Sequence, residues 1–146
     1  MSSLATTLLE EEEGISSHAY LCEGLIHVGM GCLIDASVPS DGLCKEAIDA
    51  QSLHDIAKAQ GVAAAIPGFT QCNEVRQAVL VSFCFQLGSL AGWPKFLAAL
   101  AAGDYATAAQ EGLNSAWAKE ETPLRAKREM DMLASGQWIE KGALET

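Results

Sequence analysis

The chain has 146 residues and a mass of 15.4 kDa, the usual length of one domain. Hydrophobic residues make up 49% of it and charged residues 19%, so we expect a packed core and exclude a disordered chain. Nineteen acidic residues against nine basic ones give a net charge of −10. This charge argues against sequence-independent binding to nucleic acid and against docking on anionic lipid, because both depend on Lys and Arg.

The cysteine pattern argues against stabilising cross-links and bound metal. The five cysteines are an odd number without a CxxC pair, which favours neither a disulfide framework nor a structural zinc site. We therefore expect no metal and no other cofactor, and free thiols made in a reducing cytosol. No run of 18 apolar residues is present, so no membrane insertion is expected. The first nine residues lack the basic and apolar segments of a secretory signal.

The N-terminal part is predicted to contain a short helix and then a glycine-rich segment. Residues 3–13 are predicted to form a helix that ends in four glutamates before Gly14. The dense glycines among apolar residues at 18–34 favour short, sharply turned antiparallel strands. Residues 37–42 read as a loop. Apolar residues near helical spacing predict one long helix at about 43–66.

The remaining chain is predicted to be helical. Residues 73–87 are apolar on nearly all sides, which is typical of a helix in the centre of a domain, and Gly88 closes it. Three shorter helices are predicted, at 94–102, 105–113 and 123–134. The last one has Thr122 as its expected N-cap, Pro123 in its first turn and Gly136 as its stop.

These elements predict an α+β protein of one domain over residues 1–146. A small N-terminal lobe with a helix and a β-hairpin would span about 1–42. The helix at about 43–66 would connect it to a mainly helical lobe at about 70–146.

Glu13 is the first candidate for chemistry. It ends a helix, where the negative pole of the helix dipole disfavours another negative charge, and three glutamates precede it. Both effects would raise its pKa, as a general acid working near neutral pH requires. The alternative is that Glu10–Glu13 form an ordinary solvated charge run.

Five motifs resemble, in order, those of one family of glycosidases. They are Glu13-Gly14 followed by Tyr20, Gly24 and His27-Val28-Gly29-Met30-Gly31; Phe83-Cys84-Phe85-Gln86-Leu87-Gly88; Gly103-Asp104-Tyr105-Ala106-Thr107-Ala108-Ala109; Trp117 with Thr122-Pro123-Leu124-Arg125-Ala126-Lys127-Arg128; and Gly136-Gln137-Trp138. Together they resemble the phage-type (virus-type) lysozymes, glycoside hydrolase family 24. The resemblance extends over about residues 8–138.

This resemblance implies a lysozyme-like fold and a muramidase that hydrolyses the β-1,4 bond between N-acetylmuramic acid and N-acetylglucosamine in peptidoglycan. Glu13 matches the family's general acid, and Arg125 matches an arginine that approaches it. Such a pairing would favour the carboxylate and oppose the upward pKa shift. The expected substrate-binding residues are Gly31, Phe85, Gln86 and Arg125, with Gln86 the best placed to bind an N-acetyl or hydroxyl group.

Two catalytic positions depart from the family pattern. The family has an aspartate nine positions after the glutamate, where this chain has Cys22, and a water-positioning threonine where this chain has His27. Glu23 is the only carboxylate close enough in sequence to replace that aspartate. A one-residue deletion between Cys22 and Gly24 leaves the alignment of this hairpin open.

The predicted catalytic trio is therefore Glu13, Cys22 and His27, and several roles for the last two stay open. A neutral His27 could accept a proton from the attacking water, or it could attack the anomeric carbon and give retention or transglycosylation. Cys22 could stabilise the positive transition state as a thiolate or act as the nucleophile, although a thiol is mostly neutral at pH 7. Alternatively, Cys22 is only a small residue in a weakened site. The chain would then be a glycan-binding or protein-binding module.

The resemblance also predicts partner, location and charge behaviour. We expect a monomer that acts on peptidoglycan, made in the cytoplasm of a bacterial host and released to the cell wall through a holin or a secretion system. Peptidoglycan is anionic, so a charge of −10 predicts activity that improves, at low ionic strength, with added salt or divalent cations. Four of the nine basic residues are expected beside the cleft, where their local charge would offset this repulsion: Lys119, Arg125, Lys127 and Arg128.

Overall fold

The computed structural model describes residues 3–14, 16–22, 25–29, 32–34 and 45–142. Within these residues the α-helices are Leu4–Glu13 (α1), Lys45–Ala64 (α2), Glu74–Leu87 (α3), Pro94–Ala101 (α4), Tyr105–Leu113 (α5) and Pro123–Ser135 (α6). The strands are Ser16–Cys22 (β1), Leu25–Gly29 (β2) and Cys32–Ile34 (β3). A 3-10 turn, Phe69–Gln71, precedes α3, and a π-helix, Trp117–Glu121, precedes α6. The loop predicted at 37–42 lies outside the described residues.

The glycine-rich segment contains the three strands, which pair antiparallel in the order β1-β2-β3. On one side of β2, His27 pairs with Tyr20 of β1, and on the other it pairs with Leu33 of β3. The β1–β2 register shifts between Ser16 and Tyr20. The sheet therefore has one strand more than a simple hairpin, and His27 lies on its central strand.

Helix α2 contacts both the sheet and the helical part of the chain, since it packs against β2 and α3. It ends at Ala64, two residues before the predicted end, and the chain turns through Pro67 to Gly68. Gly68 has a φ of 90°, and a Cβ there would lie 2.9 Å from the carbonyl oxygen of Leu100. This turn therefore requires glycine for its backbone conformation and for its close approach to α4.

Helix α3 lies at the centre of the core, as its apolar sequence predicts. Every residue from Ala78 to Cys84 is buried, and the helix packs against α1, α2 and α6. Asn73 caps its first turn, because its side chain accepts a hydrogen bond from the Arg76 N–H at 3.0 Å. Gly88 ends it with a φ of 69°.

Thr122 occupies the N-cap position of α6, which confirms the prediction from the sequence. Its side chain makes no capping hydrogen bond, however, and its Oγ1 is buried with no hydrogen-bond partner among the described residues. Its φ and ψ of −141° and 62° differ from the −70° and 171° of Asn73, so the side chain is not directed at the free N–H groups. The preceding π-helix determines this geometry, since the Thr122 N–H donates to the carbonyl of Trp117 at 3.0 Å.

No helix in the described part of the chain is long and apolar enough to cross a membrane.

Candidate active site

Glu13 is the last residue of α1, at the junction between this helix and the sheet. Gly14 follows with a φ of 66° and a ψ of 177°, a conformation that is accessible almost only to glycine. Its left-handed φ agrees with the prediction of a glycine stop. The Glu13 side chain lies outside the described part of the structure, so its predicted role stays a prediction.

The other two predicted catalytic residues lie on neighbouring strands. Cys22 ends β1 and pairs with Leu25, while His27 pairs with Tyr20 two positions earlier in β1. Their backbones are thus diagonal neighbours, at positions that are typically about 7–8 Å apart in an antiparallel pair. His27 is half-buried. The Cys22 side chain and Gly31 lie outside the described residues.

Arg125 lies in a buried polar network with Ser82 of α3 and Glu129 of α6. Its Nε donates to Oε1 of Glu129 at 2.8 Å, and its Nη2 donates to Oγ of Ser82 at 2.8 Å. The hydroxyl of Ser82 donates to the same Glu129 oxygen at 2.7 Å. Glu129 and Ser82 are 0% exposed and Arg125 is 9% exposed, so this network is part of the core.

Burial raises the pKa of Glu129, because the carboxylate loses its hydration. Arg125 and Ser82 oppose this shift, and the negative charge of Glu12 adds to it. The influence of Glu12 indicates that the end of α1 lies close to this network.

Arg128 connects the same region to α1. Its Nη1 donates to Oε1 of Glu12, and its Nη2 donates to Oε2 of Glu11 at 2.6 Å. Glu12, Arg125 and Arg128 also line one small cavity of about 50 Å³. The last turn of α1 is therefore held against the first turns of α6, which brings the backbone of Glu13 close to the helix that carries Arg125.

The expected cluster of free positive charge is much smaller in the structure. Of the four basic residues predicted beside the cleft, Arg125 and Arg128 are buried in ion pairs, and Lys127 pairs with Asp131 at 2.9 Å. Lys119 is exposed. Because three of the four residues are paired, this stretch supplies less free positive charge against the acidic surface than the sequence predicts.

Gln86 lies near the end of α3 and is held by Trp117. The indole Nε1 donates to Oε1 of Gln86 at 2.9 Å, and the Trp117 ring packs edge-on against Phe83 with 4.6 Å between centroids. This bond orients the Gln86 side chain and leaves its amide NH2 able to donate to a ligand. Phe85 is half-buried against the core.

A cleft of about 490 Å³ lies beside Trp117, and Trp93, Phe96 and Asn114 also line it. Trp93 is half-buried there, while Trp117 is buried. Trp138 packs with the guanidinium of Arg128 5.4 Å from its ring. Trp117 thus belongs to the core, while Trp93 and Trp138 pack half-buried against it, and of these two Trp93 lines the cleft.

Ser82 and Glu129 were missed by the sequence analysis. The spacing of Arg125 and Glu129 is that of an i,i+4 pair, which on most helices lies on the surface. The stronger sequence indication is Ser82, a polar residue in the middle of a helix that is otherwise apolar all round. Among the described residues, no group of three His, Cys, Asp or Glu side chains could hold a metal ion.

The comparison with known families identifies the chain. The family model described as Phage lysozyme matches residues 10–131, a range that includes Glu13, Cys22, His27, Gln86 and Arg125. No curated protein sequence matches the chain. Since the family model covers well over half of the 146 residues, the chain belongs to the phage lysozyme family, which is a family of peptidoglycan-hydrolysing glycosidases.

Proposed function

We propose that this protein is a muramidase that hydrolyses the β-1,4 bond between N-acetylmuramic acid and N-acetylglucosamine, with Glu13 as the general acid. Family membership over a range that includes Glu13 carries this proposal. The position of Glu13 at the junction of α1 and the sheet, next to the Arg125 helix, supports it.

The groups around the end of α1 influence the pKa of Glu13. The negative end of the helix dipole favours the protonated acid. Glu11 and Glu12 contribute less repulsion than the sequence indicates, because both bind Arg128. Two opposing effects therefore decide whether Glu13 stays protonated. The dipole at the end of α1 favours the acid, and the positive charge of Arg125 favours the carboxylate.

His27 and Cys22 would complete the site in place of the family threonine and aspartate. In one mechanism His27 accepts a proton from water, the hydroxide oxygen bonds to the anomeric carbon, and Glu13 protonates the departing sugar oxygen, which inverts the configuration. In the other, His27 bonds to the anomeric carbon while the glycosidic bond breaks and Glu13 protonates the departing sugar oxygen. The Glu13 carboxylate then takes a proton from the water that displaces the imidazole, which retains the configuration. The position of His27 on the central strand, diagonal to Cys22, is compatible with either mechanism.

The test of the general acid is Glu13→Gln, with Glu10→Gln as the matched control on the same helix. We expect muropeptide release from purified peptidoglycan to fall by about 10²–10⁴-fold in Glu13→Gln, since general acid catalysis contributes about this much. Glu10 is exposed, so its variant should act like the wild type. Circular dichroism would show that both variants fold. Wild-type release by folded Glu13→Gln would disprove the assignment.

Product stereochemistry separates the two roles of His27. NMR of the freshly released sugar would show purely inverted product for water activation and retained product for covalent attack. A wild-type protein that binds peptidoglycan and releases no muropeptides would instead support the binding-module alternative, which the replacement of both family residues favours.

We further propose that the enzyme is made in the cytoplasm and reaches the wall through a holin or a secretion system. Expression in a bacterial host with and without a pore-forming protein tests this. We expect lysis only when the pore is present, and lysis without it would contradict the proposal.

A further inference from the structure

Glu129 is a buried charged residue to which the proposed mechanism gives no role. It is 0% exposed on the core side of α6, so it cannot touch a polysaccharide in the cleft. Its contacts go to Ser82 and Arg125, and both use the same oxygen, Oε1. The other oxygen, Oε2, is buried without a hydrogen-bond partner among the described residues.

This arrangement fixes the position of Arg125. A buried carboxylate that lost its cation would be left with an uncompensated charge, which is strongly unfavourable. Ser82 adds a second constraint, because its hydroxyl accepts from Nη2 of Arg125 while it donates to Glu129. The guanidinium is therefore held at two of its nitrogens, one on each side of the α3–α6 contact.

The charged groups around Glu129 come from two helices. On α6 they are Arg125 and, one turn along, Arg128; from α1 the relevant group is Glu12. Arg128 is bound by Glu11 and Glu12, so these three charges largely compensate one another. Arg125 is then the cation whose charge is divided between Glu129 and the end of α1.

We propose that Glu129 is a positioning residue for the general acid: it binds Arg125 against α3 and so limits the positive charge that Arg125 directs at Glu13. This inference rests on the proposed role of Glu13. In this proposal Glu129 acts on Glu13 through the charge of Arg125. Burial raises the pKa of Glu129, Arg125 and Ser82 oppose this rise, and Glu12 adds to it, so the carboxyl interacts both with Arg125 and with the end of α1.

A definite direction follows from the electrostatics. In Glu129→Gln the negative charge is lost and the Arg125 charge acts fully on the end of α1. An undivided positive charge favours the carboxylate of Glu13 and lowers its pKa. Since the general acid must be protonated to work, activity should then fall at a lower pH than in the wild type.

The experiment compares Glu129→Gln with Asp131→Asn. Asp131 forms the same kind of i,i+4 pair, with Lys127, but on the exposed side of α6. The alkaline limb of the pH–rate profile on peptidoglycan would be measured for both variants. The Glu13 carboxyl would also be titrated directly by carbon-13 NMR.

We expect the alkaline limb and the Glu13 titration to move down by about one pH unit in Glu129→Gln, and not in Asp131→Asn. If Glu129→Gln does not fold, Ser82→Ala provides the same test, because it removes a hydrogen bond that stabilises the Glu129 carboxylate. It should give a smaller shift in the same direction.

An equal loss of activity at every pH, with an unmoved Glu13 titration, would show that Glu129 acts only through stability and would overturn the proposal. The NMR titration does not depend on turnover. Full activity of Glu13→Gln would therefore refute the proposed function, whereas an unmoved titration in an active enzyme would refute only the role of Glu129.

Discussion

Arg128 and Glu11 lie 117 positions apart in the sequence, yet Nη2 of Arg128 donates to Oε2 of Glu11 at 2.6 Å. The same guanidinium binds Glu12, donates through Nε to the carbonyl of Ile139 at 2.8 Å, and packs over Trp138. One buried side chain thus joins α1, α6 and the segment after α6. Because α1 ends at Glu13, this contact holds in place the part of the backbone that carries the proposed acid.

Arg128→Met should therefore destabilise the fold. Arg128 and Glu12 are 5% and 7% exposed, so the variant leaves a buried carboxylate without its cation. We expect the free energy of unfolding, measured by urea denaturation, to fall by about 3 kcal/mol. Lys127→Met is the control, because Lys127 and Asp131 are 55% and 41% exposed and such pairs contribute at most about 1 kcal/mol. Equal losses in the two variants would contradict this account.

Asn73 and Thr122 provide a comparison between two N-cap positions. Asn73→Ala removes the bond from the Arg76 N–H and the bond from Nδ2 to the carbonyl of Gly136, at 2.9 Å. We expect a loss of about 1–2 kcal/mol in the free energy of unfolding. Thr122→Val should be neutral or stabilising, since it replaces a buried hydroxyl with no partner among the described residues by a methyl group. A clear loss of stability in Thr122→Val would show that the hydroxyl is satisfied.

These two positions also show what the sequence could predict. Asn73, Gly88 and Gly136 mark helix ends through local chemistry, and the helix bounds that depend on them agree with the structure to within a residue or two. Thr122 has the same local chemistry, but the π-helix before it gives its backbone a different conformation. Local patterns therefore predict an element's ends unless a neighbouring element constrains them.

The candidate site was less accessible to sequence reasoning because its contacts are long-range. The motif containing Gln86 indicated a cleft residue, but nothing local indicates that its carbonyl binds Trp117, 31 positions away. Similarly, Arg125 was expected near Glu13, while its partner Ser82 lies on another helix. The Arg125–Glu129 pair is buried because α3 packs against α6. An i,i+4 spacing in the sequence does not indicate such packing.

The pKa of Glu129 gives a pH-dependent prediction for stability. A carboxyl whose pKa is raised in the folded state, from an ordinary value of 4.5, binds its proton more tightly when folded than when unfolded. Its contribution to stability is therefore present below that value and is lost as the pH rises through the folded pKa. Glu129→Gln has no such proton, so wild type should lose stability relative to this variant as the pH rises.

Urea denaturation of both proteins between about pH 4 and pH 8 measures this difference. Both proteins have the same repulsion among their other acidic residues, so this effect cancels in the difference between their free energies of unfolding. A wild-type advantage that grows with pH would contradict the prediction. It would mean that Arg125 and Ser82 outweigh the burial of the carboxyl.

Trp117→Phe tests whether the orientation of Gln86 matters for substrate binding. The variant keeps an aromatic ring next to Phe83 and removes the donor to Gln86. We expect a stability loss of about 1 kcal/mol. We also expect a several-fold rise in KM for peptidoglycan fragments with a smaller change in kcat, because Gln86 would no longer be held. Trp138→Phe is the control, since Trp138 also packs against the core but does not line this cleft or bind Gln86. An equal rise in KM for Trp138→Phe would indicate a general loosening of the core.

The acidic surface leads to the final prediction. The net charge is −10, and the ion pairs of Arg125, Lys127 and Arg128 reduce the positive charge that could attract an anionic wall. Raising the salt from about 0.01 M to 0.1 M shortens the Debye length from about 30 Å to about 10 Å and so weakens the repulsion. We therefore expect kcat/KM on peptidoglycan to increase over this range.

Exposed acidic residues away from the ion pairs supply the matched variant. The double change Glu46→Gln and Glu74→Gln removes two such charges, and it should raise kcat/KM at low salt and flatten the salt dependence. Neither change should alter the rate at 0.1 M salt by much, because screening already suppresses long-range repulsion there. A wild-type rate that falls as salt is added would mean that local attraction governs capture. Exposed Lys119 would then be the first residue to replace.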